Sequence, residues 1–106
     1  MLSLAALTHT VVKLSGELDF ATRASTQAIL SMVDADVVIV DLTEVTFLDG
    51  GALGSLVALK KRLRECGRLG IVKIVTPNVH FQHLFRVTGL TRLFDLHDSM
   101  PDAKAA

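Results

Sequence analysis

Two carboxylates, Asp19 and Asp49, each stand in a short polar stretch and could be paired for acid–base chemistry. Neither stretch contains a His, Ser or Cys nucleophile to complete a catalytic set, so capping or fixing a loop is the better use of both. His80 and His83 are three apart on a predicted helix, a spacing that can bring two ligands to one metal, but no third ligand stands near them. His9 and His97 fall in a predicted turn and at a strand end and need no special role. Cys66 is the single cysteine, which excludes an intramolecular disulfide and any CxxC redox or zinc pair. No GxxxxGK[ST] loop or GxGxxG turn is present for a nucleotide. The residues predict no catalytic set, no metal and no cofactor.

The stretch with the most recognition chemistry is Asp41-Leu42-Thr43-Glu44-Val45-Thr46-Phe47-Leu48-Asp49-Gly50-Gly51-Ala52-Leu53-Gly54. It leads from an apolar strand into a glycine-rich helix start, where the first backbone N–H groups have no helical partner. Asp49 is suited to cap them, and Gly50 and Gly51 leave the backbone open to close approach by another molecule.

The elements that hold this stretch follow from hydrophobic periodicity. Val37 to Val40 is a β-branched run, as in a strand buried on both faces and parallel to a neighbour. Leu53, Leu56, Val57 and Leu63 share one face of a second helix that ends near Cys66-Gly67. Before it, Leu2 to Ser15 reads as a hairpin turning at Thr8-His9-Thr10, Gly16 to Asp19 breaks that pattern, and a first helix covers about Ala21 to Val33. Thr43 to Asp49 reads as a connection.

Ile71 to Val75 gives a further strand, followed by a helix with Phe81, Leu84 and Phe85 on its buried face. Either Thr76, with Pro77 at the first helical position, or Asn78 caps that helix. It stops at Gly89 in a left-handed conformation, with Leu90 folding back on Phe85. A short strand near Leu93 to Leu96 and a weak helix after Ser99 complete an α/β single domain over residues 1–106, a mixed four- to five-stranded sheet covered by about four helices.

The 106 residues carry eleven basic and eleven acidic side chains, so no global positive charge draws the chain to nucleic acid. Half of the residues are hydrophobic and 21% charged, which supports a packed core. Uncharged stretches reach only about a dozen residues, short of the roughly 20 that a membrane-spanning helix needs. With no Lys or Arg before Lys13, the N-terminus lacks a signal peptide's charged region, and a cytoplasmic location is expected.

Lys60, Lys61, Arg62 and Arg64 gather at the second helix's C-terminal end, where cations are favoured by the helix dipole. Between Ala24 and Leu59 there is no cation, while Asp34, Asp36, Asp41, Glu44 and Asp49 fall in that window, as for a negative face toward a basic partner.

The strand ending in Asp41-Leu42 and the run Val45-Thr46-Phe47-Leu48-Asp49 resemble the STAS family, in which a strand ending in Asp-Leu precedes a loop Val-x-Phe-x-Asp-Ser-Ser-Gly-Leu at a helix start. Gly16-Glu17-Leu18-Asp19 and Thr88-Gly89-Leu90 with Leu93-Phe94 extend the resemblance over nearly the whole chain. It implies a bacterial anti-sigma-factor antagonist, which binds an anti-sigma factor, commonly a serine kinase with an ATPase-like fold, and so releases a sigma factor. The partner-binding residues it implies are Asp19, Glu44, Thr46, Asp49, Gly50, Gly51, Leu53 and Gly54.

In that family the partner phosphorylates the Ser or Thr immediately after the motif Asp. The equivalent position here is Gly50, which has no hydroxyl, and Gly51 has none either; Ala52 replaces the family's usual Gly. The resemblance also covers STAS subunits of membrane transport complexes, where such a domain steadies an ATPase or permease. Whether the chain forms a homodimer stays open at this stage.

Overall fold

The computed structural model describes residues 7–105. Their order is β1 (His9–Leu18), α1 (Arg23–Ser31), β2 (Val37–Leu48), α2 (Gly50–Glu65), β3 (Ile71–Val75), α3 (Val79–Val87), a 3-10 turn (Leu90–Arg92), β4 (Asp95–His97) and α4 (Met100–Ala105). The strands lie in the order β1-β2-β3-β4, and all three pairings are parallel. Each strand pairs with the next in sequence, so right-handed crossovers carry the connecting helices to one face.

Residue parity along the strands divides the apolar side chains between two faces. Val12, Leu14, Val38, Val40, Val72 and Ile74 face the helical layer and share one core with Leu30, Leu53, Leu56, Leu59, Leu63 and Phe85. Phe94 closes this core edge-on against Phe85, with ring centroids 6.2 Å apart. On the opposite face, Ile39 and Val75 pack with Ala103 and Met100 of α4. Covering both faces explains why Val37 to Val40 is apolar at every position.

The structure corrects several expectations. The turn placed at Thr8-His9-Thr10 is absent, because β1 starts at His9 and runs parallel to β2; the first arm of the expected hairpin falls largely on residues outside the described range. The four strands within residues 7–105 are all parallel, and the hairpin strand that would make the sheet mixed falls on residues outside the described range. Gly16-Glu17 does not end the strand: register shifts between Lys13 and Ser15 and between Gly16 and Glu17 make an irregularity inside β1, where Gly16 takes φ 74°.

Because β1 continues past that irregularity, it carries β2 with it. Thr43 to Leu48, expected as a connection, is strand, with Leu18 opposite Leu48. The β4 strand sits slightly later than expected, since Leu90–Arg92 forms the 3-10 turn and Phe94 N–H bonds back to Leu90 O. The α3 cap is Asn78, whose side chain accepts from His80 N and Phe81 N. Gly89 follows it at φ 74°, as its position requires, and its N–H donates to Arg86 O.

Candidate functional site

The paired ends of β1 and β2 deliver the start of α2. Asp49 is extended (φ −100°, ψ 175°), and its backbone N–H donates to Leu18 O at 3.2 Å, so the cap is fastened to the neighbouring strand. Its Oδ1 accepts from Ala52 N at 2.8 Å, the N-cap geometry that the sequence predicts. The same oxygen accepts from the Arg23 guanidinium at 2.6 Å, and both side chains of this pair are partly buried.

Gly50 and Gly51 have different surroundings. A Cβ on Gly50 would meet no heavy atom within 4 Å. One on Gly51 would collide with the Arg23 guanidinium, so the missing side chain is what lets the arginine reach Asp49. Gly54 lies one turn further on, exposed and with equally open space. Leu53 points the other way, buried in the main core, and anchors the helix that carries the glycines.

Asp19 supports the site from β1. Thr22 N donates to Asp19 Oδ1 and Asp19 N donates to Thr22 Oγ1, both at 3.1 Å, while the Thr22 hydroxyl donates to Glu17 O at 2.7 Å. This closed loop precedes α1 and sets the position of Arg23, its first residue. Asp19 is thus a loop-fixing residue beside the site.

Thr46 is exposed on the last stretch of β2. Glu44 stands five residues before Asp49, roughly 16 Å at strand rise, and pairs with Lys13 at 3.2 Å. The structure therefore brings Asp19, Asp49, Gly50 and Gly51 together and leaves Glu44 apart from them.

The other acidic residues of the cation-free window are individually occupied. Arg68 binds Asp34 through two hydrogen bonds of 2.8 and 3.0 Å and holds its carboxyl below the ordinary value. Backbone N–H donation from Thr8, and from Leu69 behind it, does the same for Asp36. Asp41 accepts from Thr43 N and its hydroxyl. Local pairing accounts for these charges, and they do not form an uncompensated negative face.

Three side chains at this end escaped the sequence reading as contact residues. Phe20 is 86% exposed and Phe47 50% exposed, close to the β1 and β2 ends that hold Asp49. Arg23 is the third, and its signal was visible as the last cation before the long stretch without one. Among the described residues no group of three His, Cys, Asp or Glu is placed to hold a metal ion, and no helix is long and apolar enough to cross a membrane.

The family model described as "Mlab, STAS domain" matches residues 4–96. The chain belongs to the STAS family. Among solved structures, an anti-sigma factor antagonist from Mycobacterium paratuberculosis superposes with a TM-score of 0.82 at 26% identity, covering 92% of this chain and 84% of that one. The anti-sigma factor antagonist SpoIIAA in its unphosphorylated form gives 0.67 at 16% identity, over 99% of this chain and 93% of the other.

The Bacillus cell fate determinant SpoIIAA in the phosphorylated form gives 0.60 at 18%, over 99% and 96%. No curated protein matches the chain significantly by sequence. In this STAS domain the start of α2 is capped by Asp49, with glycine at both of the next two positions.

Proposed function

We propose that this STAS domain is a non-catalytic antagonist that binds an anti-sigma factor in the cytoplasm and so frees a sigma factor. The observation that carries the reading is the open start of α2, rigidly held by Asp49, with Gly50 unobstructed. Exposed Phe20 and Phe47 supply apolar anchors of the kind that dominate protein interfaces. The similarity at 26% identity to an anti-sigma factor antagonist supports the partner class.

Control differs from that of phosphorylated relatives. A phosphate at the position after Asp49 would add nearly two negative charges and three acceptors where the partner docks. Gly50 cannot receive it, so binding is constitutive or set by another signal. Ser55 is no substitute: its hydroxyl is buried and lies 3.2 Å from Gly51 O, to which it donates. Titration of the cognate anti-sigma factor, a serine-kinase type included, with Gly50→Asp tests the reading. Weakened binding supports it; equal affinity, or phosphate incorporated at Thr46 by a cognate kinase, counts against it.

A second reading keeps this surface and changes the partner to the ATPase or permease of a membrane transport complex. The missing hydroxyls favour it to that extent, because a permanently docked subunit needs no phosphorylation switch. Co-purification with an ATP-binding cassette subunit in place of an anti-sigma factor would select it.

A further inference from the structure

A second surface lies at the far end of α2. Lys61 is twelve residues from Asp49, about 18 Å along the helix, so a partner on the glycine end does not automatically cover it. Here Val57, Lys60, Lys61, Arg64, Glu65 and Leu93 line a shallow depression of about 310 Å³. Its apolar members are half-buried Val57 and Leu93, the latter 39% exposed although it adjoins core residue Phe94.

Three cations against one carboxylate surround that floor. Glu65 lies 3.9 Å from Lys61, a loose contact between two exposed side chains. Lys60 donates to Gly70 O, and the Arg64 side chain makes no hydrogen bond or ion pair among the described residues. The Lys60 ammonium is pushed below its ordinary value by burial and by neighbouring Arg64, with Asp95 as the opposing influence. With Asp95 counted beside Glu65, Lys60, Lys61 and Arg64 thus face two carboxylates, which leaves a net positive charge around the depression.

This local excess belongs to a chain-wide division: residues 1–59 carry two cations and seven carboxylates, residues 60–106 nine and four. In the first part both cations are used, Lys13 by Glu44 and Arg23 by Asp49, and Asp34 takes Arg68 from the second part, whereas the Arg64 side chain has no such partner.

We infer that the depression between Val57 and Leu93 is a docking site for an acidic segment of a partner protein bearing an apolar side chain, separate from the Asp49 end. The small apolar floor takes a leucine-sized group, and the surrounding cations take its flanking carboxylates. A flat anionic membrane would use the cations but leave that floor unfilled.

The test is an amide-resolved NMR titration with a blocked hexapeptide of two leucines flanked on each side by two glutamates. Saturable shifts confined to residues 57–65 and 90–95 are expected, with affinity falling about tenfold in Lys61→Glu/Arg64→Glu and unchanged in Arg86→Glu, since each charge-assisted contact is a large part of a weak complex. Shifts absent at millimolar peptide or scattered over the surface would overturn the inference. So would equal binding of a peptide with glycines for leucines, or charge-dependent binding to phosphatidylglycerol vesicles without peptide binding. Folding of each variant is checked by its unperturbed remaining amides, and Leu93→Ser gives an independent loss of peptide affinity that leaves the charges intact.

Discussion

Asp49 places one carboxylate oxygen where the Ala52 N–H and the Arg23 guanidinium meet, at 2.8 and 2.6 Å, so two interactions can be separated by mutation. Losing the cap costs about 1 kcal/mol. The ion pair, partly screened at its exposed edge, adds about 1 kcal/mol. Asp49→Ala is thus expected to destabilise by about 2 kcal/mol, a fall in Tm of roughly 10 °C for a domain of this size. Arg23→Met removes only the pair and costs about half as much, while Asp49→Asn keeps an acceptor oxygen for Ala52 and lies between wild type and Asp49→Ala.

Urea unfolding of the wild type, Asp49→Ala, Arg23→Met and the double variant gives the coupling directly. Because Asp49→Ala already breaks the pair, the double variant should be no worse than Asp49→Ala, a coupling of about 1 kcal/mol. Additive losses, or an Asp49→Asn variant as unstable as the alanine, would refute the shared-oxygen account.

Gly50→Ser should leave Tm nearly unchanged, while Gly51→Ser displaces Arg23 and loses about 1 kcal/mol, the worth of the ion pair, as read by urea unfolding. Phe20→Ala should not alter stability yet weaken partner binding about tenfold, and Phe47→Ala should act in the same direction in calorimetric titration; unchanged affinity in both would remove the apolar anchors from the interface. Asp34 and Asp36 titrate below the ordinary value of 3.8, chiefly through hydrogen bonds from Arg68 and from Thr8 N respectively. Below about pH 4 the unfolded chain binds more protons at these positions than the folded one, so stability is complete above that pH and falls as pH drops through the folded values. Asp34→Asn/Asp36→Asn should flatten this acid limb in Tm measurements, and an unchanged slope would exclude both groups.

What was legible in the sequence was governed by local pattern. The β-branched run at Val37 to Val40, the apolar face of α2 and the cap at Asp49 depend on neighbours within a few residues, and all three appear where their residue types require. The extent of β2 did not follow the same logic. Thr43 and Glu44 are exposed between buried Leu42 and Val45, and Thr46 and Phe47 between Val45 and Leu48, a pattern without strict alternation, and they are strand because β1 continues beside them past Gly16. The Arg23–Asp49 pair joins residues 26 positions apart, which no local periodicity could reveal.

The two glycines after Asp49 consequently have separate causes, although the family pattern treats their positions as a pair. Gly51 is tied to the scaffold, since any side chain there competes with Arg23 for the space beside the cap. Gly50 is under no such constraint: it lacks positive φ, a Cβ would touch nothing, and a serine would fit. Folding therefore gives no reason for glycine in place of serine at position 50. Under the proposed function the missing side chain bears on how the surface meets a partner, so Gly50 is the position at which a substitution is expected to change binding and leave stability alone.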